Sequence, residues 1–242
     1  MVAMIDPEIV FEDDAILILG KPAGWIVNDA STVGSTPVIQ NWLDIKDYKL
    51  AGMKAFRSGI VHRLDKETSG VLIVAKNQLA YNNLQGQFKN RQVKKTYTAL
   101  LHGKLEPAEG EVNAPVGRLP WNRERFGVLP GGREATTNYK VSSFYSKGKD
   151  IFTLANFFPR TGRTHQIRIH AKYLGHPIVA DSFYAGRKTA RNDRSWCTRL
   201  FLHAKAIEFT HPKTHKLVKF SAKLPDELEQ ALKYLVKYQK TA

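Results

Sequence analysis

The chain has 242 residues, 43% apolar and 24% charged, a composition that supports a folded core and excludes a disordered protein. Its formal net charge of +15 is uneven: residues 1–60 carry 5 basic and 8 acidic side chains and residues 61–242 carry 32 and 14, a field that attracts a polyphosphate such as nucleic acid. No apolar run approaches the roughly 20 residues that span a bilayer, and Met1–Asp6 lacks the basic-then-apolar character of a secretory leader, so a cytoplasmic protein without membrane contact is expected.

Ile9–Phe11 and Ala15–Leu19 flank Glu12-Asp13-Asp14 and predict two short strands joined by an acidic turn. Lys21-Pro22-Ala23-Gly24 breaks the chain, and a short helix is expected near Val38–Leu43. The run Val71–Ala75, rich in β-branched residues and bounded by Gly70 and Asn77, predicts a buried strand. A helix over Leu79–Asn90 and a strand from Val93 to Leu101 follow, the strand carrying Val93, Lys95, Tyr97 and Ala99 on one face. Pro107–Arg133 is rich in Pro, Gly and Arg, with Pro120–Arg125 as a loop or loose hairpin. Strands are predicted again at Thr136–Phe144 and Ile151–Phe157.

Thr164–Leu174 changes to helical period, with Ile167, Ala171 and Leu174 on one face, Thr161 or Thr164 as the cap and Gly175 at the end. Arg168 falls one residue round from that face and is expected at the helix rim. Gly186–Arg199, with five basic residues and one acidic residue, reads as a mobile loop. Leu200–Phe209 and Leu217–Phe220 form a hairpin through His211–Thr214, and Pro225 opens a final amphipathic helix. With no repeat and no linker, the simplest architecture is a single α+β domain over 1–242, with a mixed, mainly antiparallel sheet flanked by helices.

Three polar clusters stand apart. His62–Gly70 is a charged loop at the mouth of the 71–75 strand, a place for a working carboxylate in Asp65 and equally for a solvated turn. Arg160–Arg168 puts three arginines at a helix start, suited to a phosphate or carboxylate and equally to a basic solvent face. Tyr97 is placed in the core or lining a cleft. Phosphate-binding, dinucleotide and serine-hydrolase motifs are missing. The single cysteine, Cys197, excludes an intrachain disulfide and a multi-cysteine zinc site; His211 and His215 surround a turn at Pro212, so no metal is expected.

Lys21–Gly24, His62-Arg63-Leu64-Asp65 with Thr68–Leu72, Lys95-Thr96-Tyr97, Gly162–His170 and Arg199–Ala204 resemble, in order, the motifs of RluA-type pseudouridine synthases. The resemblance spans about residues 8–236. It implies the pseudouridine-synthase fold, with the active-site cleft across the sheet, and an isomerase that converts uridine in ribosomal RNA or tRNA to its C5-glycoside with no cofactor. It implies that Asp65 is the essential carboxylate, attacking C1′ of the ribose or C6 of the base, with Arg168 as its cationic partner and Tyr97 against the base. Arg63 matches a residue that holds the flipped nucleotide or fills its space. Leu200 or Leu202 would form the apolar wall, and His62, Arg163 and His165 are carried as substrate-binding. Relatives often carry a preceding RNA-binding domain; the resemblance here begins within the first ten residues, so none is expected, and a monomer is expected. The rival reading is a non-catalytic RNA-binding protein that keeps the fold, against which the intact Asp65, Tyr97 and Arg168 argue.

Overall fold

The computed structural model describes residues 5–29, 34–48, 50, 53–120 and 122–238. In chain order its elements are β1 (Glu8–Glu12), β2 (Ile16–Lys21), α1 (Ile39–Ile45), a 3-10 segment (Lys54–Gly59), β3 (Ser69–Ala75), α2 (Gln78–Lys89), β4 (Lys94–His102), β5 (Glu109–Asn113), β6 (Val116–Leu119) and β7 (Asn122–Val128). They continue with β8 (Thr136–Lys147), β9 (Asp150–Pro159), α3 (Gln166–Tyr173), α4 (Arg187–Asp193), β10 (Leu202–Thr210), β11 (Leu217–Ser221), α5 (Asp226–Lys233) and β12 (Val236–Tyr238). The chain divides into two units, one of residues 1–95 with 204–223 and one of residues 96–203 with 224–242.

In the first unit the strands run β1-β2-β3-β10, with β11 paired to β10. β3 is buried along its whole length, which is why its apolar residues run on without alternation. Ile16, Ile18, Ile73, Leu84 and Phe209 meet in the core of this unit. Helix α2 begins at Asn77, whose side-chain oxygen accepts the Ala80 amide at 2.9 Å and so satisfies one of the open N–H groups of the first turn.

In the second unit β4-β9-β8-β12 form an antiparallel sheet with β5 on β8, while β6 and β7 make a separate hairpin. Its core gathers Leu100, Leu101, Phe157 and Phe201 with Leu228 and Ala231 of α5. Asp226, Glu227 and Glu229 in the first turn of α5 and Lys233 in its last turn complement the helix dipole.

Three expectations change. Gly186–Arg199 is an ordered helix and turn, because Ala190, Asp193, Trp196 and Cys197 are buried beneath its basic surface. The Pro107–Arg133 segment agrees with its reading: the β6–β7 hairpin turns within Pro120–Arg125, and β5 precedes it; Trp121 lies outside the described residues. Arg168 is not at a helix rim: it is 2% exposed, since α3 is enclosed on every side from Gln166 to Ala171. Neither threonine caps that helix. His165 stands at the N-cap in a left-handed conformation, and the Gln166 side chain takes the Arg163 amide and the Thr161 hydroxyl while donating to Thr136 O and Thr137 Oγ1. Gly175, at φ +83°, ends the helix as expected.

Gly70 shows why β3 requires glycine at its start. Its φ is +121°, and a Cβ there would lie far inside van der Waals contact with the Ala204 carbonyl. Gly86, inside α2, faces open space and has no such constraint. Gly70→Ala is therefore expected to cost more than about 2 kcal/mol, and Gly86→Ala to gain about 0.5–1 kcal/mol. Urea midpoints with unchanged slopes would measure both.

Candidate active site

Asp65 belongs to the first unit and is half-buried on a loop fastened at several points. On the N-terminal side Val61 and Leu64 anchor the loop in apolar surroundings. His62 joins it to β3: its Nε2 accepts the Ile73 amide at 2.9 Å, and its ring stacks on Phe88 with centroids 4.9 Å apart. On the C-terminal side the Thr68 amide donates to the Asp65 carbonyl at 3.1 Å, closing a tight turn.

The Lys66 carbonyl, one peptide beyond Asp65, is the main fastening. It accepts the Gly24 amide at 2.8 Å and the Lys21 ammonium at 3.3 Å. Lys21 is 1% exposed, and the same ammonium donates to the carbonyls of Pro22 and Trp25 at 2.8 Å each. Carbonyl acceptors around the ammonium help a cation to be tolerated at this depth. Gly24 turns toward Lys66 at φ +91°. The Lys21–Gly24 turn thus clamps the residue that follows Asp65, a role that the sequence signals only as a chain break.

Accepting an amide N–H at Nε2 leaves the His62 proton on Nδ1, so the ring is neutral. Burial, reinforced by the charge of Lys95, pushes its pKa down to about 3. Burial also pushes Lys95 itself down to about 8. The described contacts of His62 hold the loop in place. Arg63, beside it, is exposed.

Tyr97 and Arg168 belong to the second unit. Tyr97 is half-buried on β4, opposite Phe157 of β9, and packs against the core. Leu200 and Leu202 are 0% and 3% exposed in that same core. Arg168 lies in a bidentate pair with a carboxylate that sequence inspection did not single out, Asp181: Nε and Nη2 donate to Oδ2 and Oδ1, each at 2.8 Å. Its guanidinium also faces the rings of Phe183 and Tyr184, 5.3 and 5.2 Å from their centroids. The signal for Asp181 in the sequence is faint, a lone aspartate closing the apolar stretch Pro177–Ala180.

His165 and Arg163 sit at the start of α3. His165 Nδ1 and the Tyr184 hydroxyl are 2.9 Å apart, and the imidazole makes edge contacts with Phe126, Phe183 and Tyr184. Arg163 Nε donates to the Glu134 carbonyl at 2.9 Å. Among the described residues no cluster of His, Cys, Asp or Glu is arranged to hold a metal ion, and no helix is long and apolar enough to cross a membrane.

Residues 15–173 match the family model described as RNA pseudouridylate synthase. The chain is 37% identical over 235 residues to an uncharacterized RNA pseudouridine synthase, YlyB, of Bacillus subtilis, covering 96% of this chain and 74% of that protein. It is 38% identical to ribosomal large subunit pseudouridine synthase C of Vibrio cholerae, covering 96% of this chain and 70% of the relative. It is 37% identical to ribosomal large subunit pseudouridine synthase D of Neisseria meningitidis, covering 94% of this chain and 61% of the relative. In structure it is similar to human RNA Pseudouridylate Synthase Domain Containing 1, with a TM-score of 0.75, 26% identity, and coverage of 96% of this chain and 89% of the human one. The mainly antiparallel sheet with flanking helices is the fold of these relatives.

The chain therefore belongs to the RNA pseudouridylate synthase family, in its RluA-type branch. It is an RNA-binding isomerase.

The neutral, half-buried His62 ties stability to pH. Its folded pKa is lowered, so the unfolded chain takes up the proton first as pH falls. The stabilisation is complete above the ordinary value of 6.5 and is lost as pH drops from there toward about 3. Between pH 7 and pH 5 this one group should remove about 2 kcal/mol. His62→Gln, whose amide oxygen can accept from Ile73, should flatten that part of the curve when urea unfolding is compared at the two pH values; an unchanged slope would count against a neutral ring tied to β3.

Proposed function

We propose that this enzyme isomerises a uridine of large-subunit ribosomal RNA to pseudouridine, with Asp65 as the catalytic carboxylate, Arg168 as its cationic partner and Tyr97 against the target base. The observation that carries the proposal is that the family match, residues 15–173, takes in all three positions. The choice of RNA follows the names of the relatives from Vibrio and Neisseria, with tRNA as the alternative.

The chemistry suits these residues. The N1–C1′ bond of uridine breaks, a C5–C1′ bond forms, the C5 proton leaves and N1 regains a proton, so atoms and electrons balance within one nucleotide. An ionised carboxylate either bonds to the substrate as a nucleophile or stabilises cationic ribose, and in both cases its loop must hold it still while leaving it open to the substrate. The Lys66 clamp and the His62 staple supply that restraint. An arginine partner favours the ionised form. A tyrosine offers the base a flat apolar face and a hydroxyl that can pass a proton. The uridine must leave its stack to reach the site.

Purified protein should release tritium from RNA labelled at uridine C5, and Asp65→Ala should abolish release while RNA binding persists. Turnover by that variant would overturn the mechanism. Pseudouridine mapping of cells lacking the gene should show a lost site in large-subunit RNA; a lost tRNA site in its place would overturn the substrate.

Arg187, Lys188 and Arg191 lie exposed on the outer face of α4, whose Ala190 and Asp193 are buried, so this surface is held rigidly toward solvent. We propose that it meets RNA phosphates. Changing the three to Gln should lower the slope of log affinity against log salt by about 0.7–0.9 for each phosphate that is no longer neutralised, with kcat at saturating RNA unchanged. An unaltered slope would leave this face to solvent.

A further inference from the structure

The Arg168–Asp181 pair is built more firmly than an ion pair needs to be. Asp181 is 0% exposed, and its Oδ1 accepts the amides of Phe183 at 3.0 Å and Tyr184 at 3.1 Å in addition to Arg168 Nη2. One tetrapeptide, Asp181–Tyr184, therefore supplies Arg168 with a carboxylate and two aromatic neighbours, and the carboxylate is itself fixed by that peptide's own backbone.

The tetrapeptide is anchored in turn. Val179 donates to the Leu100 carbonyl of β4 at 2.9 Å and accepts from Phe201 at 3.1 Å. Ala180, at φ +60°, is held in a left-handed conformation while its amide donates to Asp193 Oδ2 at 2.8 Å, and His102 Nε2 lies 2.9 Å from that same oxygen. Strain of this kind persists only where the surroundings over-determine it.

We infer that Asp181 is a positioning residue for the reaction: it sets the plane and location of the Arg168 guanidinium, and so the direction in which that cation serves the catalytic carboxylate. The inference rests on the reading above that Arg168 partners Asp65. Stability alone is a poor reason for such a pair, because desolvation of two buried charges offsets most of their attraction and apolar replacements often do as well. Geometry is the better reason. A guanidinium has five N–H donors and Asp181 takes two of them along one edge, which orients the rest of the group. The anchor on Leu100 also puts the Arg168 support on the same strand as Tyr97, three residues away.

Asp181→Asn tests this directly. Asn keeps the side-chain volume and an oxygen for the two amides but removes the charge and one acceptor facing Arg168. The expected result is a fall in kcat of about 10–100-fold, as misplacement of a reacting-site group by about 1 Å produces, with KM for RNA within about twofold. In an Arg168→Gln background the same change should cost nothing further, because its effect runs through Arg168. Wild-type kcat in a folded Asp181→Asn protein, or losses that multiply in the double variant, would overturn the inference. If Asp181→Asn does not fold, Asp181→Glu carries the test: it keeps the charge but displaces the carboxylate by one methylene, and undiminished kcat would be equally fatal. An active Asp65→Ala would instead sink the reaction mechanism, whereas an inert Asp65→Ala beside a fully active Asp181→Asn would sink only this proposal.

Discussion

The Lys66 carbonyl, bonded by the Lys21 ammonium and the Gly24 amide, is the point from which the Asp65 loop hangs. In the catalytic role proposed for it, the Asp65 carboxylate would face conflicting demands. It must remain ionised, which favours exposure, and it must be immobile, which favours burial. The first unit resolves this by burying the neighbours of Asp65 rather than Asp65 itself. Leu64, Thr68 and the Lys21 side chain are buried, His62 is tied to β3, and the carboxylate is left half-exposed at the tip. The close backbone approach at Gly70 belongs to the same arrangement, because β3 receives the loop where it passes Ala204.

The second unit treats its cation in a comparable way. Arg168 lies deeper than a surface phosphate clamp would, and Asp181 meets its charge in a bidentate pair. Burying a charged helix residue is costly unless the partner is close and rigid. Asp181 meets that condition because the Phe183 and Tyr184 amides fix it and the Leu100–Val179 contact holds its turn to β4. The restraint on the guanidinium therefore passes through hydrogen bonds at every step, with packing by Phe183 and Tyr184 filling the space around it.

Basic charge serves two physical purposes in this chain. Lys21 and Arg168 are buried and held by fixed hydrogen bonds, and burial moves the half-buried Lys95 down to about 8. Arg187, Lys188 and Arg191 stay exposed on the outside of α4, where solvated charge acts at the range of the Debye length. Net charge reports the sum of these and separates none of them.

What the sequence determined by itself is what local rules govern. The β3 run, the α2 helix, the opening of α5 at Pro225, the β10–β11 hairpin and the Gly175 end of α3 all follow from period, turn chemistry and helix termination, and their positions agree with the structure to within a few residues. Ordered motifs pointed to the family and named Asp65, Tyr97 and Arg168. What only the tertiary structure decided is which polar groups meet. Asp181 stands 13 residues from Arg168 and Lys21 stands 45 from Lys66. No periodicity links such pairs, because their partnership is set by how a turn folds back on a helix or a strand end. The ordered α4 is a similar case: its composition reads as solvated loop, and only the burial of Asp193 beneath it, bonded to the Ala180 amide, makes it a helix with a fixed face. Hydrogen bonds between distant residues are invisible to any reading of neighbours, and in this protein they are what fasten the Asp65 loop and the Arg168 guanidinium.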